Sequence, residues 1–117
     1  MQLGRLGHLL LSLGAFALML GAAGCSKTMY GAVKFESNPP GAEVINLRDD
    51  ANLGITPVVV TWESDDGQPE YVTVQTRKNG YLEDITSFWV NTRHESREAA
   101  QAQAQPVFVE LKRRRQP

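Results

Sequence analysis

The chain has 117 residues, twelve Lys and Arg against thirteen Asp and Glu, and a net charge of −1 with both histidines neutral. That length supports one small domain and not two, and the balance excludes a general nucleic-acid binder, which concentrates positive charge. A single cysteine, Cys25, excludes an intrachain disulfide framework and leaves a zinc site short of ligands.

The first element in chain order is a leader. Residues 1–8 are short and carry Arg5, residues 9–20 are apolar apart from Ser12, and Gly21-Ala22-Ala23-Gly24 leads into Cys25. A basic head, an apolar middle and small residues at the end form the plan of a secretory signal. The apolar stretch falls short of the roughly 20 residues of a membrane-spanning helix. Its small-small-Cys ending resembles the lipobox of bacterial lipoproteins, although Ala22 stands where Leu is usual. The resemblance implies that residues 1–24 are a lipoprotein signal peptide and that Cys25 carries diacylglycerol and palmitate-class acyl chains. Residues 25–31 are then a lipid-anchored tether, and more than one acyl chain is what stable anchoring requires. Ser26 follows the cysteine at the position where, in Gram-negative bacteria, an Asp resembles the inner-membrane retention signal, so Ser26 implies instead the outer membrane facing the periplasm. Removing residues 1–24 from the 117 leaves 93, with eleven cations, thirteen carboxylates and a charge of −2.

The remainder reads as short strands. Residues 32–37 alternate, with Val33 and Phe35 on one side and Lys34 and Glu36 on the other. Residues 42–47 set Val44 against Glu43 and Ile45, and residues 58–62 are β-branched and end in Trp62. In residues 71–78, Val72, Val74 and Thr76 face one way; Tyr71, Thr73, Gln75 and Arg77 face the other. Residues 84–92 place Ile85 and Trp89 opposite Phe88 and Val90. Residues 107–112 place Val107, Val109 and Leu111 inward, with Phe108 and Glu110 outward. About six short strands imply an all-β domain over residues 32–112, a small antiparallel sandwich or partly open barrel. Residues 94–105 interrupt the pattern. They are Ala, Gln, Glu and Arg with no large apolar residue, and are expected as a solvated polar excursion that buries little against the sheet.

The turns carry the next signal. In Ser37-Asn38-Pro39-Pro40-Gly41-Ala42, Pro40 suits the first corner of a type II turn and Gly41 supplies the positive φ of the second. Gly54-Ile55-Thr56-Pro57 places a proline where a strand begins. Asn79-Gly80 reads as a type I′ hairpin turn, with Tyr81 leading onward. In that order, Ser37, Pro39, Gly41 and Ala42, then Gly54, Thr56 and Pro57, then Gly80 with Tyr81 resemble the PEGA domain. The resemblance covers about residues 32–91, with Pro40 where the name-giving motif has Glu. It implies a small β-module of bacterial envelope proteins that binds rather than catalyses; the matched glycines and prolines are structural by their own chemistry, since they bend backbone and transfer no proton.

The residues offer no catalytic set. Once residues 1–24 are removed, His94 is the one imidazole, expected as a solvated residue, and a hydrolytic triad needs a nucleophile, a base and an orienting acid. Asp49-Asp50 and Asp65-Asp66 lie in loops where carboxylates are hydrated, and no phosphate cradle, metal spacing or cofactor motif is present. The reading is therefore not an enzyme and needs no cofactor. Binding can rest on aromatics: Phe88 and Trp89 cannot both point inward, so Trp89, Tyr71 and Trp62 are the candidate binding residues. The expected partners are the membrane, through the lipid, and an envelope protein or assembly; the alternative is cell-wall glycan. The tail at residues 113–117, with Lys112 before it, reads either as a frayed end or as a contact to anionic headgroups.

Overall fold

A computed structural model describes residues 27–115. The segment 1–24 expected as a signal peptide, Cys25 and Ser26 lie outside the described residues, as do the last two residues of the tail. Among the described residues seven strands and one helix follow in order: β1 (Met29–Asn38), β2 (Glu43–Asn46), β3 (Ala51–Ile55), β4 (Val58–Ser64), β5 (Glu70–Arg77), β6 (Asp84–Val90), α1 (Arg97–Ala102) and β7 (Gln105–Glu110). They form a three-stranded sheet, β4-β1-β7, packed on a four-stranded sheet, β3-β2-β5-β6. This is the expected all-β sandwich, and it is not a closed barrel.

The alternation read in the sequence sets the inner faces. Val33 and Phe35 from β1 meet Val44, Val72, Val74 and Val90 from the other sheet, all buried. Phe35 lies edge-on to Phe88 (5.7 Å) and Trp62 (6.3 Å), an arrangement that aromatic quadrupoles favour. A second cluster of Ala42, Val109 and Leu111, with Tyr81 against it, closes one end of the sandwich. At the other end, Gly31 lets β1 pass close to the chain leaving β6. A Cβ there would stand 2.2 Å from the Asn91 carbonyl oxygen.

Four expectations need correction. The sheet is not wholly antiparallel, because β7 runs parallel to β1, from Val33 opposite Gln105 to Asn38 opposite Glu110. β6 descends towards the end where Tyr30 bridges His94, and the chain turns there and climbs back in the direction of β1. A seventh strand, β3, was hidden in Ala-Asn-Leu-Gly-Ile, a sequence of low strand propensity. It pairs with β2 through a hairpin in which Asp50 has φ 58°. The Asn79-Gly80 turn is not type I′. That type needs positive φ at both central residues, and of the two only Gly80 has it (85°), as in type II, with Tyr81 N–H donating to the Lys78 carbonyl at 3.0 Å.

The excursion at 94–105 is the fourth. Ser96 caps α1, its hydroxyl accepting from Ala99 N–H at 3.1 Å. The helix packs across β1 and β4 with Ala100 fully buried, on the face where Ala32 is also buried. The absence of large side chains is what lets it dock, since alanines permit a close approach. Arg97 pairs with Glu63 and stacks over Tyr30 (5.1 Å), and Gln101 donates to the Thr61 hydroxyl at 3.2 Å.

Candidate functional site: the outer face of the four-stranded sheet

The motif residues converge on one junction, and it is structural. Ser37 donates its hydroxyl proton to the Pro39 carbonyl (2.8 Å). Ser37 has one proton to give, so in the 2.6 Å contact between the two hydroxyls Thr56 is the donor. Thr56 Oγ1 in turn accepts from Ala42 N–H at 3.0 Å. The backbone closes the ring: Gly41 N–H donates to the Thr56 carbonyl (3.0 Å) and Thr56 N–H to the Ala42 carbonyl (2.9 Å). Gly41 has φ 87°. Gly54 has φ 132°, and a Cβ there would lie 2.9 Å from Val58. Pro57 follows Thr56 immediately before β4, and the peptide bonds preceding Pro39 and Pro57 are cis. Each polar side-chain group of the junction has a partner within it, so none is left for a ligand.

Gly80 and Tyr81 serve a second joint. Leu82 N–H donates to the Lys112 carbonyl (2.7 Å), Arg114 N–H donates to the Gly80 carbonyl (2.9 Å), and Tyr81 bridges Arg113. The tail is therefore fastened as far as Arg114, whose Nε also donates to the Tyr81 carbonyl at 3.1 Å. It is not a frayed end up to that residue. β7 runs parallel to β1, so the tail lies at the opposite pole from the start of β1, roughly 30 Å away along a ten-residue strand.

Of the three candidate aromatics, the structure separates one from two. Trp62 packs against Phe35 in the core, so it is not a surface for a partner. Phe88 faces inward, as alternation requires, and Trp89 outward. Tyr71 and Trp89 are directly opposed across β5 and β6, 56% and 59% exposed, with ring centroids 5.0 Å apart and planes tilted by 54°. The next row is a hydroxyl pair, Thr73 and Ser87 at 2.8 Å, followed by Gln75 opposite Ile85, itself exposed, and then by the ion pair Arg77–Glu43 (3.1 Å). The outer face thus grades from aromatic near the start of β1 to charged at the far pole. Beside Tyr71 a groove of about 330 Å³ is lined by Asn46, Leu47, Arg48, Glu70 and Thr73, with Arg48 paired to Glu70 at 3.2 Å.

Leu47, Ile85 and the Arg48–Glu70 pair were not singled out in the sequence. Ile85 could have been, since it shares the alternation phase of Trp89. The hairpin residues 47 and 48 belong to no periodic pattern. The acidic loops are turn-formers: Asp49 accepts from Ala51 N–H (3.1 Å), and Asp66 accepts from the Ser64 hydroxyl (2.7 Å) and Gln68 N–H (3.0 Å). The Ser64 bond first, and the Gln68 bond second, hold the Asp66 carboxyl below its ordinary range. His94 is half-buried, and its backbone N–H and carbonyl pair with Tyr30. Among the described residues no three His, Cys, Asp or Glu side chains gather as metal ligands do.

No protein-family model matches the chain, and no curated protein or solved structure matches it significantly.

Proposed function

We propose that the chain is a bacterial envelope lipoprotein, anchored through Cys25, whose PEGA-like β-domain binds a protein partner or assembles into an envelope machine without catalysing a reaction. The observation that carries this reading is the Tyr71–Trp89 pair, two large exposed aromatics placed side by side on a sheet face that no other element among the described residues covers. Leu47 extends its apolar surface, Ile85 adds a second exposed apolar residue beyond the Thr73–Ser87 row, and Arg48 and Glu70 form a polar rim, the composition of a protein-binding centre. The tilt between the rings makes a wedge rather than a level platform, which suits a partner's side chain better than a stacked sugar. The Asn46 amide and Glu70 carboxylate beside Tyr71 support the alternative, a carbohydrate- or peptidoglycan-binding module. The leader, the lipobox-like ending and Ser26 support lipid anchoring at the outer membrane facing the periplasm.

Two experiments test the reading. Mass spectrometry of the mature N-terminus should find a diacylated Cys25; an unmodified thiol or a different first residue contradicts the anchor. Wild type and a Tyr71→Ala/Trp89→Ala variant, each isolated with its native membranes, should differ in what they retain. Loss of a stoichiometric protein supports the first reading and loss of wall glycan the alternative; identical profiles remove the site.

A further inference from the structure

The two poles of the sandwich carry opposite charge. The Asp49-Asp50 hairpin, the Asp65-Asp66 loop, Glu63, Glu70, Glu95 and Glu98 gather where Tyr30 meets His94, eight carboxylates against four cations. The opposite pole holds Arg77, Lys78 and the 112–115 run, six cations against Glu43, Glu83, Asp84 and Glu110. A near-neutral chain thus concentrates its positive charge at one end.

At that end a groove of about 340 Å³ lies between the Gly41 turn and the Lys78–Tyr81 turn, with Arg77, Lys78 and Arg114 along it. Lys78 Nζ stands 3.2 Å from where a Cβ on Gly41 would be, so its ammonium rests over bare backbone. Among the described residues no carboxylate lies within salt-bridge distance of it. Arg77 meets Glu43 through Nε at 3.1 Å, and Arg114 meets the Tyr81 carbonyl through Nε at 3.1 Å and approaches Glu83 at 3.7 Å. Holding each arginine by Nε fixes its plane and leaves terminal N–H groups of the fork for a further acceptor. Around Gly80 the wall is open, with nothing within 4 Å of where its Cβ would be.

We propose that this groove binds a phosphate group, carried by a ligand that meets the domain at the pole away from the tether. Three cations line this one groove, and arginine forks and a lysine point charge recognise phosphate together. Glu43 and Glu83 offset part of the charge, so binding is modest and screened by salt. The site shares no residue with Tyr71–Trp89 and does not depend on that reading.

The test is a titration of the full chain in neutral detergent with inorganic phosphate at constant ionic strength, read by the amide resonances of Gly41 and Gly80. Saturable shifts are expected in the wild type. Lys78→Gln should weaken them roughly tenfold, the worth of one charge-assisted hydrogen bond. Lys34→Gln removes the same charge from the other sheet, where Lys34 pairs with Glu36, and should leave them unchanged. Shifts that never saturate, or that weaken equally in both variants or in neither, overturn the proposal. Co-sedimentation with phosphatidylglycerol vesicles, set against phosphatidylcholine alone, identifies the source. Because the acyl anchor inserts into either vesicle, the readout is the excess on phosphatidylglycerol: an excess lost in Lys78→Gln assigns a lipid headgroup, and no excess alongside saturable phosphate shifts assigns a soluble or polymeric phosphate.

Discussion

The Gly41–Thr56 junction and the Tyr71–Trp89 pair lie at opposite ends of one sandwich, and they use their residues in opposite ways. At the junction Ser37 and Thr56 are buried, and their hydroxyls and the neighbouring amides satisfy one another. At the pair, two of the largest side chains in the domain stand more than half exposed. The difference separates the two kinds of signal in the sequence. The motif that is easiest to see builds backbone, because turns need particular residues at particular positions. The residues available to a partner are marked only by which side of a strand they fall on.

The largest effect that would sharpen this comparison is at Thr56. Thr56→Val removes the hydroxyl that accepts from Ala42 N–H and donates to Ser37, leaving buried polar groups unpaired. Denaturant unfolding should show a loss on the order of 2–4 kcal/mol, and Thr56→Ser a much smaller one. An unchanged midpoint for the Val variant would mean that the junction is not what holds this end together. Next are Gly41→Val and Gly80→Val, expected to cost about 1–3 kcal/mol each through positive φ. Gly41 should be the more sensitive, because Lys78 crowds its side-chain position while Gly80 has open space. A smaller effect of opposite sign is expected at Thr76, whose Oγ1 is buried without a hydrogen-bond partner. Thr76→Val should stabilise the domain by about 1 kcal/mol, and a loss of stability would show that the hydroxyl is paired after all. Smallest of all should be Trp89→Ala, under about 1 kcal/mol for an exposed cross-strand aromatic pair. A loss as large as that at Thr56 would make Trp89 a structural residue and erase the contrast.

Alternation in the sequence was sufficient to place Val33, Phe35, Val72, Val74, Val109 and Leu111 inside, because a strand that buries one face has little choice of phase. The order of the turns brought Ser37, Gly41, Gly54 and Thr56 into view, although not the hydroxyl relay that links them, which is a tertiary contact across two loops. β3 escaped because pairing with β2 overrides its weak propensity. The helix escaped for a related reason: a segment without Leu or Ile looks unable to bury itself, yet Ala100 does so by proximity rather than by size. The basic run was visible, but its attachment to Gly80 and Leu82 depends on β7 returning parallel to β1, a consequence of topology that no local pattern encodes. The aromatic site was half legible. The opposition of Phe88 and Trp89 follows from period two, and the pairing of Trp89 with Tyr71 follows from a register that the sequence leaves open.

The central claim, that the Tyr71–Trp89 face receives a partner, is tested most directly by photocrosslinking in intact cells of the native host from a benzophenone amino acid at position 89. Position 108 is the matched control, since Phe108 is equally exposed (61%) on the opposite sheet. The account predicts a discrete protein adduct from position 89 and none from 108. Equal adducts from both positions, or none from 89, would contradict it.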